Sequence, residues 1–123
     1  RTRRSGRTVM STRVIYVAGP MRGIKDFNFP AFHAASAKLR AEGWTVLSPA
    51  EADMEDAGFN PSDTSTIMPI SHYLTRDTAM LCKSRAIFLL RGWEQSRGAR
   101  LEKQMAEYLG IEILRQEGAR EGD

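Results

Sequence analysis

The chain has one cysteine, Cys82, in 123 residues. That excludes an intrachain disulfide and any cysteine-rich metal site. Its two histidines, His33 and His72, share no metal-ligand spacing with each other or with Cys82, so no metal centre is expected. No apolar run approaches the roughly 18 residues of a membrane span. No apolar stretch follows the N-terminal arginines to make a signal peptide. These absences lead us to expect a cytoplasmic protein with no membrane role. Gly19-Pro20-Met21-Arg22-Gly23 is not a GxGxxG fingerprint, and neither GxxxxGK[ST] nor a GxSxG elbow occurs.

Acidic residues are missing from the first 25 positions. Arg1, Arg3, Arg4, Arg7 and Arg13 supply five of the 18 basic residues, and the chain beyond them holds 13 basic against 15 acidic. The net charge of +3 therefore belongs to the start, not the body, and a nucleic-acid partner is not expected. Residues 1–12 read as a disordered basic leader, with Met10 a candidate start.

What remains is ordinary for a globular domain: 41% apolar and 27% charged residues. Residues 13–115 read as a single domain and 116–123 as a polar tail. Residues 14–18 form a continuous apolar run of the kind buried on both faces of a parallel sheet. Residues 29–42 read as a helix, with Pro30 in its first turn and Gly43 behind it. Residues 44–47 read as a strand stopped by Pro49, and 50–69 as a long polar loop. A helix follows, capped by Ser71 and running to Lys83, then a strand over 86–90. Residues 91–97 read as a turn, 98–109 as a helix and 111–114 as a strand. The alternation predicts a doubly wound, flavodoxin- or Rossmann-like α/β domain in three layers, with a mainly parallel sheet of four to five strands. Such folds bind ligands at the C-terminal rim of the sheet.

Two acids stand in the wrong place. On a helix, Glu102 shares a face with Gly98, Ala99, Met105, Ala106 and Leu109, the small and apolar positions that should meet the sheet. Arg100, Lys103, Gln104 and Glu107 fall on the outer face. Asp77 lies likewise with Tyr73, Leu74, Met80 and Leu81, while Arg76 falls elsewhere. An inward carboxylate is either edge-of-stripe packing or a working group held for chemistry. Ser96-Arg97-Gly98 precedes a helix and suits either an N-cap or an anion site. Arg22 is either a phosphate ligand or surface. Phe27 and Trp93 are candidates for stacking on a planar base.

Three stretches carry a resemblance. They are Tyr16-Val17-Ala18-Gly19-Pro20-Met21-Arg22-Gly23 with Phe27-Asn28-Phe29-Pro30, then Arg76-Asp77, then Gly92-Trp93-Glu94-Gln95-Ser96-Arg97-Gly98-Ala99-Arg100-Leu101-Glu102. Over about residues 13–114 the chain resembles the nucleoside 2-deoxyribosyltransferase superfamily, which includes the nucleoside 5′-monophosphate N-glycosidases. Within it the chain is similar to a compact bacterial and phage branch of unknown function. The resemblance implies Glu102 as nucleophile, Asp77 as the acid assisting the leaving base, and Tyr16 as the residue that positions the nucleophile. It implies substrate contacts at Gly19, Arg22, Gly23, Phe27, Trp93, Ser96 and Gly98. It also implies a nucleotide or nucleoside substrate, no metal or organic cofactor, and a homodimer or larger assembly. Transferases acting on free nucleosides carry an aspartate where this chain has Ser96, so the serine is similar to the nucleotide hydrolases. The expectation is therefore hydrolysis or base transfer at the N-glycosidic bond. The alternatives are a non-catalytic nucleotide-binding module and a nucleic-acid accessory protein acting through the arginine-rich start.

Overall fold

The structure, a computed structural model, describes residues 13–56 and 58–121. The basic leader, residues 1–12, lies outside them. In chain order the elements are β1 (Val14–Ala18), α1 (Phe29–Ala41), β2 (Thr45–Leu47), α2 (Pro49–Glu55), α3 (Ile70–Cys82), β3 (Ala86–Leu89), α4 (Arg97–Leu109) and β4 (Glu112–Arg115). Short 3-10 turns occur at Lys25–Asn28, Thr64–Thr66 and Trp93–Gln95. The four strands form one sheet in the order β2-β1-β3-β4, with every neighbouring pair parallel. This is the expected doubly wound α/β domain.

Both faces of β1 are covered, which is why its sequence is apolar throughout. Ile15 and Val17 join Phe29, Phe32, Ala35 and Leu39 of α1, while Tyr16 and Ala18 join Leu81 of α3 and Ala99 and Ala106 of α4. The chain turns one way from β1 to β2, then crosses back to β3 and outward to β4. With right-handed crossovers this reversal separates α1 from α3 and α4 across the sheet. The switch in direction falls between β1 and β3, where ligands of such folds bind.

The segment expected to be a long loop contains a helix. Ser48 caps α2, its Oγ accepting from the Ala50 amide at 3.2 Å, and Pro49 opens the helix instead of only stopping the strand. Among the described residues of that segment, 56 and 58–69 remain irregular, apart from a 3-10 turn. Ser71 does not cap α3: the helix begins at Ile70 behind Pro69, and no side chain caps it. The other boundaries differ by about one residue, as helix and strand ends commonly do.

The polar tail is not free of the domain over 116–121. The Gln116 amide donates to the Leu89 carbonyl at 2.9 Å, the Arg91 amide donates to Gln116 Oε1 at 2.8 Å, and Trp93 Nε1 donates to the Arg120 carbonyl at 2.8 Å. The tail thereby holds the turn after β3.

Candidate active site

Tyr16 sits in the middle of β1, and strand alternation turns it toward α4. Its hydroxyl donates to Glu102 Oε2 at 2.7 Å. Tyr16 is wholly buried and Glu102 is 9% exposed. Burial raises the Glu102 carboxyl to about 8; the Tyr16 hydrogen bond opposes the rise and the nearby charge of Asp77 adds to it. Burial and the Glu102 carboxylate push the Tyr16 phenol well above its ordinary range, so it stays a donor. Glu102 Oε1 has no protein partner among the described residues.

The inward stripe of α4 is Ala99, Glu102, Lys103 and Ala106. Glu102 points inward as its spacing predicts. Lys103, expected on the outer face, is buried; its ammonium bonds Glu107 at 2.8 Å and lies 5.5 Å from the centre of the Trp93 ring. Gly98 and Leu109, expected inward, are exposed. A long lysine stem can cover apolar surface while its charge finds a partner, and this turns the buried stripe by about one residue.

Asp77 approaches from α3, with its side chain 13% exposed. Burial lifts its carboxyl to about 6, with Arg76 opposing and Asp53 and Asp56 adding to the rise. Arg76, which helical spacing sets off the stripe, is the centre of an ion network. It reaches Asp77 Oδ1 through Nε at 2.9 Å and Nη2 at 2.8 Å, Asp53 Oδ1 at 2.7 Å and Asp56 Oδ2 at 3.3 Å. His72 Nε2 pairs with Asp56 Oδ2 at 2.8 Å. Leu74, placed inward with Asp77 by spacing, is 41% exposed.

The rim residues divide. A Cβ on Gly19 would stand 2.8 Å from Leu90 Cβ, so glycine is needed for the loop after β1 to pack on the end of β3. Gly23 has φ +83° and open space around it, so its role is backbone freedom. Arg22 is exposed, its guanidinium 5.8 Å from the Tyr73 ring centre on α3; no bond joins it to Ser96 or Gly98. Phe27 is half-buried against Phe59, with ring centres 5.8 Å apart. Asp26, Phe27 and Asn28 are all left-handed, with φ of 55°, 51° and 61°, held where Asn28 Nδ2 donates to the Pro20 carbonyl at 3.0 Å. Such residues cost about 1–3 kcal/mol each and collect at functional sites. Ser96 caps α4, its Oγ accepting from the Ala99 amide at 3.1 Å. That leaves its hydroxyl proton and the first free amides of α4 available to an anion.

Trp93 corrects the stacking expectation. It is 2% exposed, sits in the core with Leu81 and Ala106, and gives its indole N–H to the Arg120 carbonyl. No face is left for a base.

Two shallow surface hollows lie elsewhere. One, of about 260 Å³, lies around Cys82, Leu101 and Tyr108; the other, of about 250 Å³, lies around Lys38, Phe88 and Arg115. Neither includes Glu102, Tyr16 or Asp77. Perturbed acids converging from different elements mark the chemistry better than a shallow hollow does.

A family model, described as a domain of unknown function (DUF4406), matches residues 13–115. The chain belongs to the DUF4406 family. No curated protein and no solved structure matches the chain. The family description assigns no activity, so function in this DUF4406 domain is argued from the site. Helical spacing points to Glu102 and Asp77 of this cluster, but not to Arg76, Asp53 or Asp56. Neighbouring residues share no helical face, and Asp53 and Asp56 lay in a stretch read as loop. The Ser48-Pro49 pair was the available signal for that helix.

Proposed function

We propose that the chain cleaves the N-glycosidic bond of a nucleoside 5′-monophosphate, or of a nucleoside, with Glu102 as nucleophile. The observation that carries this reading is the buried Tyr16–Glu102 hydrogen bond, with Asp77 in electrostatic reach of both groups. The motif resemblance to the nucleoside 2-deoxyribosyltransferases supports it.

Glu102 Oε2 is held by Tyr16, leaving Oε1 for the anomeric carbon. Cleavage develops positive charge on the sugar, and a carboxylate in a dry site stabilises that charge. The ionised Oε1 bonds to C1′ as the C1′–N bond breaks and its electron pair leaves with the base. Asp77, protonated, gives its proton to that base, assistance worth about 10²–10⁴-fold in rate. Water then attacks C1′, releasing Glu102 and restoring the proton to Asp77; a second base in place of water gives transfer. Ser96 and the first amides of α4 receive the 5′-phosphate, with Gly98 leaving room. Phe27 borders the base. No metal or organic cofactor takes part. A nucleotide substrate is in keeping with a cytoplasmic protein. The assembly is a homodimer or a larger homo-oligomer, a reading that the exposed Leu101, Tyr108 and Leu109 of α4 support.

One observation favours a second reading, a non-catalytic nucleotide-binding module. With its carboxyl raised to about 8, Glu102 is mostly protonated at neutral pH in the free chain. A panel of ribo- and deoxyribonucleosides and their 5′-monophosphates, with and without a second base, separates the two. Released or exchanged base establishes the glycosidase reading and fixes the sugar. Saturable binding with no release from any substrate establishes the module.

A further inference from the structure

Arg76 and Asp77 are adjacent on α3, and adjacent helical residues do not face each other. The guanidinium nevertheless folds back on Asp77, because α2 holds its far side. Nη2 is 2.7 Å from Asp53 Oδ1 and 3.3 Å from the Pro49 carbonyl, and Nη1 is 3.3 Å from Asp56 Oδ2. Asp53 and Asp77 are both largely buried, with side chains 7% and 13% exposed.

The contact with Asp77 is unusual in form. An arginine fork ordinarily meets both oxygens of a carboxylate. Here Nε and Nη2 both reach Oδ1, at 2.9 and 2.8 Å. Oδ2 has no protein partner among the described residues. One oxygen is anchored and the other is free. Three carboxylates surround a single guanidinium, so Asp77 stays in a field that favours taking up a proton.

We propose that Arg76 is the positioning residue of this site: braced by Asp53 and Asp56, it clamps Asp77 Oδ1 and presents Oδ2 for proton transfer. The transfer to a leaving base rests on the glycosidase reading; the clamp itself does not. Arg76 touches no reacting atom and acts only through Asp77.

Two substitutions in the full chain separate charge from geometry. Arg76→Gln removes the charge, and Arg76→Lys keeps it while losing the fork. The first readout is the Asp77 side-chain carboxyl carbon titrated by NMR, which needs no turnover. In Arg76→Gln, Asp77 should titrate about one pH unit or more higher, the scale of losing an adjacent opposite charge. In Arg76→Lys it should stay near its wild-type midpoint. The second readout is turnover. Arg76→Lys should lower kcat by about 10-fold or more with little change in KM, the behaviour of a mispositioned group.

An unmoved Asp77 midpoint in folded Arg76→Gln would overturn the proposal, as would wild-type kcat in Arg76→Lys. If Arg76→Gln does not fold, the lysine variant decides through its kcat and KM. If the wild-type protein cleaves nothing, the glycosidase reading fails, and the Asp77 titration alone still accepts or rejects the clamp.

Discussion

The Tyr16 hydroxyl donates to Glu102 Oε2 at 2.7 Å, joining residues 86 positions apart inside the layer between the sheet and α4. A buried carboxyl in such a bond has one oxygen occupied and one available. That division matches what a nucleophile needs.

Glu102→Gln keeps the shape and the Tyr16 bond but cannot attack C1′. It should lower kcat by roughly 10³-fold or more, the scale seen when a covalent nucleophile is removed. Steady-state base release measures this, and turnover within 10-fold of wild type would end the nucleophile assignment.

The rate against pH should be bell-shaped. Burial raises Glu102 to about 8 and Asp77 to about 6 in the free protein, while the reaction needs Glu102 ionised and Asp77 protonated, so between these values the reactive form is the minor arrangement of the single shared proton. Because the two interact, the limbs of kcat/KM belong to the pair, with a maximum between these values. Asp77→Asn should abolish one limb. A flat wild-type profile from pH 5 to 9 would reject the acid–nucleophile pairing.

Stability should respond to the same burial. The folded Glu102 carboxyl sits at about 8 against an ordinary 4.5, so the folded state holds the proton more tightly. The stabilisation is fully present below 4.5 and is lost as pH rises through about 8. Asp77, raised from 3.8 to about 6, has the same sign over its lower range. At about 1.4 kcal/mol per pH unit, the Glu102 contribution amounts to several kcal/mol. Urea unfolding at pH 5.5 and 9 should therefore show wild type losing more stability with pH than Glu102→Gln does. Parallel curves would mean that Glu102 is not held protonated.

Tyr16→Phe removes the donor and leaves a buried carboxyl oxygen unpaired. That costs about 1–3 kcal/mol. Since the Tyr16 bond opposes the rise of the Glu102 carboxyl, its loss should move the upper midpoint of the activity profile upward. An unchanged midpoint would show that the bond does not tune Glu102.

Ser96→Asp separates capping from phosphate recognition. Aspartate caps a helix as well as serine does, so unfolding should change by under about 0.5 kcal/mol. An anion at the first turn of α4 would meet a like charge, so monophosphate turnover should fall well below that of the matching nucleoside. Equal losses for both substrates would remove Ser96 from the phosphate site.

Much of the scaffold was legible in the amino-acid order, because the relevant signals are local. The unbroken apolar runs at 14–18 and 86–90 needed cover on both faces, which only a sheet between helices provides. Glu102 on an apolar stripe followed from helical period alone. Ser96 ahead of α4 and Gly110 behind it marked that helix's ends. Where the local signal was mixed, the reading slipped. Charge and spacing put Lys103 on the outer face, yet its stem is buried beside Trp93 and its ammonium is paired with Glu107.

Sequence by itself therefore determined the alternation of strands and helices, the buried sheet and the inward turn of two acids, since each depends on residues a few positions apart. Tertiary structure decided the partners. Strand order set Tyr16 of β1 against Glu102 of α4, and the packing of α2 beside α3 set Asp53 and Asp56 around Arg76. The return of the tail buried Trp93 and ended its candidacy as a stacking platform. These pairings join segments far apart in sequence, and a hydrogen bond requires two groups at one point in space, which only the folded chain provides.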